Sequence, residues 1–499
     1  MQRLFRILCV LVACTLVGCG NAEPKVEVPL TGSDIFFDYS YLPDSDSYAV
    51  VKLNDKNVLF VDIPPICNGK PVSAIGDRVF ESSSVCSVTI PSSVKSIGEY
   101  AFCSCSYLAR IVIPEGVENI GREAFYGCDG LTEIIIPGSI RSIADNVFSN
   151  CRGLKSVTIN EGVEKIGMMA FYECEKLTTI VIPSSVSLVG YGAFSGCSNL
   201  VWVDISDGVK SIDVGAFASC SRLSKITIPS SVQSIGIMAF YNCGNLKSIM
   251  VDPENPVYYS EDNCIVKKDS KELVAGCNSS KIPEDVRSIG DGAFYCCSGL
   301  TSLTIPNNVR TIGASAFSEC SGLTSLEIPD SVSSIGAGAF YNCNGLVSIT
   351  IPGNITSIDD SVFYGCSSLK SVTIPSSVIR IGEEAFRGCY GLTSVVVPGN
   401  VKTIGENAFS SCDSLNDVVI SEGVVSIEGG AFSSCGNLQV ITIPKSINHI
   451  GEYVFYRCDT LKDVYFGGSS SEWKALGWGG INREDCIIHC SDGDIAFYY

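Results

Sequence analysis

Apolar positions along the chain repeat one sentence, Leu-x-x-Ile-x-Ile-Pro-x-x-Val-x-x-Ile-Gly-x-x-Ala-Phe-x-x-Cys, spelled out in full by residues Leu108 to Cys128. Phenylalanine marks the beat. Phe102, Phe125, Phe148 and Phe171 stand 23 residues apart, and the series runs on to Phe240. It resumes at Phe294 and continues to Phe455, while Phe80 opens it one residue out of step. A fixed period of this length predicts a solenoid, because no single repeat can bury its apolar set and stacked repeats share one core.

Within a repeat, Leu108 to Ile113 reads as a short strand. Ile111 and Ile113 point one way, Arg110 and Val112 the other. Proline ends the strand at Pro91, Pro114 and Pro137, since it cannot donate to a ladder. Other repeats use turn residues instead, as in Ser421-Glu422-Gly423. Glycine follows the next isoleucine in 12 of 16 rungs, with Ala144, Asp213, Asp359 and Glu428 as the replacements. A positive φ is therefore expected there as helpful rather than obligatory. The Ala-Phe-x-x-Cys piece reads as a short helical turn. The predicted fold is thus an α/β or mainly β solenoid of 23-residue repeats, with a parallel β-sheet on one face and short helical or irregular turns on the other.

The first residues have a different layout. Arg3 and Arg6 precede an apolar run from Ile7 to Val17, which is short for a bilayer span and suits a secretory signal. Its end, Leu16-Val17-Gly18-Cys19, resembles the bacterial lipobox. That resemblance implies cleavage before Cys19, which then becomes the lipid-attachment residue, with the body outside the cytoplasm.

The repeat itself resembles the BspA-type leucine-rich repeat family over roughly residues 72–466. The resemblance implies a leucine-rich-repeat solenoid with a parallel sheet on one face. It also implies a bacterial cell-surface protein that adheres to host matrix proteins or other cells. Phe37-Asp38-Tyr39 through Ile75 looks like the family's N-terminal cap, and Val464-Tyr465-Phe466-Gly467-Gly468 with Trp473 like its terminal hairpin. Caps are needed because end rungs would expose core and unpaired edge. The gap from Phe240 to Phe294 is 54 residues, two periods plus eight, and reads as a variant repeat with an outward loop. The expected organisation is a lipoprotein signal peptide over 1–18, a tether over 19–35 and an N-terminal cap over 36–75. Repeats follow over 76–250, an irregular repeat over 251–283, further repeats over 284–466, and a C-terminal cap over 467–499.

Cysteine sharpens the picture. Of 26 cysteines, fifteen sit three residues after a phenylalanine, from Cys105 to Cys458. A metal array would need thiolates converging in fours, whereas stacked rungs give one straight row. Disulfides would need Cβ atoms about 3.5–4.5 Å apart, and parallel side chains on neighbouring rungs stay near about 4.8 Å. The remaining reading is a column of buried thiols acting as small apolar fillers. The Cys486-Ile487-Ile488-His489-Cys490 cluster reads as a terminal cap strand, with its two cysteines about 13 Å apart.

Composition then narrows the function classes. The chain is 46% hydrophobic and 17% charged, enough for a continuous core. A formal net charge of −19 argues against nucleic acid, because nothing offsets phosphate repulsion. The two histidines, His449 and His489, lie within or after the last rung, so no Ser-His-Asp or Cys-His constellation is expected. No enzyme, cofactor or metal site is predicted. What remains is the outward side of the sheet. In the second half it is plain, as at Ser348 and Thr350. In the first half it varies, and Arg110, Glu133, Trp202, Asp204, Lys225 and Met250 are the candidate binding residues. The expected partners are an extracellular protein or glycan, with the membrane reached through the N-terminal lipid. A periplasmic structural lipoprotein without a host ligand is the alternative. Regular Ser/Thr rows also raise an ordered lattice such as ice, but Asp417, Asp463 and Glu327 interrupt them.

Overall fold

Each 23-residue sentence closes one turn of a β-solenoid. The computed structural model describes residues 36–476 and 486–496. The chain divides into two compact units, one made of Met1–Leu246 and Met250–Val257, the other of Lys247–Ile249 and Tyr258–Tyr499.

The first unit starts with an antiparallel pair, Phe37–Leu42 on Ser47–Leu53, which hands over to a parallel stack through Lys70–Ile75. From there every rung contributes two strands. One is the Ile-x-Ile strand: Glu133–Ile136 pairs with Ser156–Ile159, and Thr179–Ile182 with Trp202–Ile205, each in a register of one repeat. These strands alternate exposed and buried residues, as the period of two requires. The other is a two-residue strand such as Ser142–Ile143, stacked on Lys165–Ile166 and then Leu188–Val189.

The return segment around each phenylalanine takes the irregular form rather than a helix. The residues two before and two after the phenylalanine are left-handed, as with Glu123 (φ 57°) and Gly127 (φ 67°) around Phe125. The same two positions carry Tyr100 and Ser104, Asn146 and Asn150, or Met169 and Glu173. Most are not glycine, and the left-handed region costs an L-residue roughly 1–2 kcal/mol. A third ladder offsets this. The amides of Tyr100, Phe102 and Ser104 donate to the carbonyls of Arg122, Ala124 and Tyr126 on the next rung, at 3.0, 2.7 and 2.7 Å. The strands donate in the opposite sense, with Gly121 N bonded to Ile97 O of the rung before at 2.8 Å. Nearly every backbone group in the wall is therefore satisfied.

The glycine after the third isoleucine of the repeat has a different role from the expected one. Gly121 is not at positive φ. A Cβ there would lie 2.5 Å from Glu99 N and 2.7 Å from Gly98 C of the preceding rung. The requirement is space between stacked backbones, not a special dihedral. The phenylalanines fill the interior as a stacked column: Phe102 and Phe125 have ring centroids 5.0 Å apart and planes 2° from parallel. Parallel offset stacking at this separation follows from the rung spacing.

The second unit repeats this scheme from Phe294 to Phe455, except that the rungs at 301–305 and 371–374 form no Ile-x-Ile strand, and neighbouring rings such as Phe386 and Phe409 lie 5.0 Å apart. It opens with an antiparallel meander, Tyr258–Glu261, Cys264–Lys267 and Glu272–Ala275, whose last strand pairs in parallel with Ser288–Ile289. At its other end, Val464 to Phe466 belongs to a regular parallel strand, Asp463–Phe466, rather than to a hairpin. A short helix, Ser470–Ala475, follows with a capping box between Ser469 and Glu472, and its Trp473 packs edge-on against Phe466. The hairpin lies further on, Ile487–Cys490 with Gly493–Ala496. Among the described residues no helix is long and apolar enough to cross a membrane. Cys19 and the signal segment lie outside the described residues.

Candidate functional site

The Ile-x-Ile strands of the first unit present two columns of side chains to solvent, 23 residues apart within each column. All six sequence candidates stand in them, and all six are exposed. They fall into two groups. Arg110 and Glu133 are neighbours on successive rungs, with Nε and Oε1 3.9 Å apart. Trp202 is the direct cross-strand partner of Lys225, and Asp204 follows two residues along the same strand, on the same face. Three rungs separate Glu133 from Trp202, about 14 Å. Met250 stands in the second column on the strand Ser248–Val251.

The structure adds residues that the sequence reading left out. Ile135 stands 58% exposed beside Val112, which the alternation already points outward, and Val181, two rungs on past Thr158, is 49% exposed. They occupy the middle of Ile-x-Ile, where other rungs carry Thr158 or Thr227. The signal was present as three consecutive apolar residues, Ile134-Ile135-Ile136 and Ile180-Val181-Ile182, where alternation calls for a polar one. Val112 and Ile135 share a shallow groove of about 170 Å³ with Arg110, Glu133, Ser156 and Thr158. The face therefore combines an apolar stripe, an aromatic anchor and charges of both signs. In the second unit the equivalent positions from Ser325 to Thr350 are hydroxyls and one carboxylate, Glu327.

The cysteine column is thiol throughout the described repeats and buried except at the half-buried Cys297, and it does more than fill space. Elsewhere in the column the sulfur donates to the carbonyl of the phenylalanine one rung back, as with Cys151 Sγ to Phe125 O at 3.1 Å and Cys412 Sγ to Phe386 O at 3.2 Å, whereas Cys297 Sγ faces Gly276 O at 4.0 Å. Burial pushes the Cys197 and Cys243 thiols up to about 12, so these two stay protonated and keep the donor. They are structural groups, not nucleophiles. Among the described residues no cluster of His, Cys, Asp and Glu is placed to hold a metal ion. His449 faces Glu428 at 3.6 Å on the surface, and His489 lies between Asp463 and Asp494.

A stacked, closed core with a broad exposed sheet defines a leucine-rich-repeat solenoid whose surface, not an enclosed pocket, carries the distinctive chemistry. The comparisons agree. A family model described as BspA type leucine-rich repeat region (6 copies) matches residues 73–201, 164–286, 271–393 and 379–475. The chain belongs to this family. Among solved structures it is similar to a leucine-rich repeat protein from Bacteroides ovatus, with 28% identity over 82% of this chain and 94% of that one and a TM-score of 0.50. A leucine rich cell surface protein from Faecalibacterium prausnitzii shares 29% identity over 91% and 99% of the two chains, with a TM-score of 0.47. A leucine-rich repeat protein from Eubacterium ventriosum shares 19% identity over 92% and 97%, with a TM-score of 0.50. No curated protein matches the chain.

Proposed function

We propose that the protein is a lipid-anchored binding scaffold of the bacterial cell surface. It recognises an extracellular protein or glycan through the outward sheet of its first unit. The observation that carries this reading is Trp202, 45% exposed and paired across the sheet with Lys225, where the equivalent position two rungs earlier is Ser156. Exposed tryptophan beside charge is the composition of an interface anchor. The apolar stripe of Val112, Ile135 and Val181 adds contact area, and Arg110, Glu133, Asp204 and Met250 complete the candidate surface. The lipobox at Cys19 supports the tether, since two or three acyl chains hold a protein stably at a membrane. Membership of a repeat family of interaction scaffolds supports a binding role over a catalytic one.

The test has two parts. Protease applied to intact cells should remove the protein while a periplasmic marker survives. Adherence of those cells to matrix proteins or partner cells should fall with Trp202→Ala and Lys225→Glu, with the fold unchanged. Full protection from protease, with digestion only after lysis, would replace this reading with a periplasmic structural lipoprotein.

A further inference from the structure

A second site lies in the second unit, beyond the surface just described. The rung Leu300-Thr301-Ser302-Leu303-Thr304-Ile305-Pro306 matches the repeat sentence, yet it forms no strand. Among the described residues, no backbone N–H or carbonyl from Thr301 to Ile305 has a hydrogen-bond partner. Regular rungs are bonded here: Lys155 N donates to Thr132 O at 2.8 Å, and Val347 N to Thr324 O at 2.9 Å. On one side, Ser325–Glu327 pairs only with Ser348–Thr350. On the other, the strand slot of the preceding rung is turned toward the meander. Lys281 N donates to Asp262 O at 3.1 Å, Cys264 Sγ to Lys281 O at 3.2 Å, and Ser280 Oγ to Asn263 O at 2.7 Å.

The result is a cleft of about 660 Å³, walled by Asn278 to Glu284 and by Leu300 to Thr304, with Glu261 and Asp262 at its rim. Leu303 lies along this opening. It is only half-buried, as is Val372 in the other rung without an Ile-x-Ile strand, where Leu326 and Ile349 in the same register are 4% and 7% exposed. Five consecutive residues with free donors and acceptors, in the register of a strand, offer about 16 Å of unused edge when extended. Open backbone in a cleft of this size matches the geometry of strand addition.

We propose that this cleft binds an extended peptide segment of a partner protein, which pairs with Thr301–Ile305 as an added strand. The rim sets its charge. Glu261, Asp262 and Glu284 are exposed against the single cation Lys281, so the peptide is basic. Alternation in the added strand sends small branched side chains toward Leu303 and basic ones toward the acidic rim.

The probe is a fluorescein-labelled octapeptide alternating Val and Lys, titrated against the full chain by fluorescence polarisation. Saturable binding is expected. It should weaken at least tenfold when alternate peptide amides are N-methylated, when Lys is replaced by Glu in the peptide, and in the Glu284→Lys protein. N-methylation changes only the peptide, so that arm does not depend on how a protein variant folds. Trp202→Ala should leave binding unchanged, which separates this site from the first-unit surface. Hydrogen exchange should be fast at residues 301–305 in the free chain and slowed by the peptide. Absence of saturable binding, equal binding of the N-methylated peptide, or amides already protected in the free chain would each overturn the proposal.

Discussion

The thiol of Cys128 donates to the carbonyl oxygen of Phe102 in the rung before, across 3.2 Å. The same carbonyl accepts the amide of its own rung's Cys105 at 3.1 Å. The position therefore needs a side chain that is small, apolar in bulk and able to donate. Alanine keeps the first two properties and loses the third. Cys174→Ala should lower stability by about 1 kcal/mol, from the lost donor and the small void, read as a lower melting temperature by calorimetry. A value indistinguishable from the parent protein would reduce the column to filler.

Alkaline pH should unfold the repeats through these same thiols. The ordinary thiol value is 9.0, and burial pushes Cys197, Cys243 and Cys412 up to about 12. Below pH 9 both folded and unfolded thiols are protonated, and the contribution is fully present. Between about 9 and 12 the unfolded chain ionises while the folded one does not, so stability falls as pH rises. Circular dichroism during a titration from pH 8 to 12 should show a cooperative loss of sheet signal above 9. A thiol reagent at pH 8 should leave the buried members of the column, such as Cys197 and Cys412, unmodified until denaturant is added.

Two neighbouring positions of one rung should respond in opposite directions. At Gly313 a Cβ would sit 2.7 Å from Asp291 N and 2.8 Å from Gly290 C, so Gly313→Ala pushes two stacked backbones apart. Ser315, two residues later, is held at φ 53°, and the next rung places Gly338 at the same point with φ 61°. Gly313→Ala should cost about 2 kcal/mol or more by overpacking. Ser315→Gly should be neutral to stabilising by up to about 1 kcal/mol, as left-handed strain is relieved against a looser unfolded chain. Paired thermal melts of the two variants check the sign of each.

These two positions also show where the sequence was legible. The phenylalanine beat reported the stacked core directly, because a 23-residue period and an aromatic side chain leave one arrangement that buries both. The outward placement of Arg110, Glu133 and Trp202 followed from alternation alone. The glycine was misread because φ and crowding both select for it, and only the neighbouring backbone tells them apart. The left-handed pair around each phenylalanine was invisible, since Tyr, Ser, Glu, Met and Asn occupy it freely once inter-rung bonds hold it. The opening at Thr301–Ile305 could not be read from its own residues, which fit the repeat in full. Beside it, Ser280 and Lys281 bond to the meander instead.

His489 sets the pH response of the last hairpin. Its Nε2 lies 3.0 Å from Asp463 Oδ1 and its Nδ1 3.0 Å from Asp494 Oδ1, and its ring stacks on Tyr465 at 4.6 Å. A neutral imidazole has one N–H, so it can serve one carboxylate and must turn a lone pair toward the other. The imidazolium donates to both. Asp463 first, and then Asp494, raise the pKa above its ordinary 6.5. The contribution to stability is therefore fully present below pH 6.5 and lost as pH rises through the raised folded value. Hydrogen exchange at Ile487–Cys490 should be slower at pH 6 than at pH 8.5 after correction for intrinsic rates. His489→Phe, which keeps the stack on Tyr465 and removes both donors, should abolish that difference. A His489 NMR titration midpoint at or below 6.5 would show that the two carboxylates do not hold the proton.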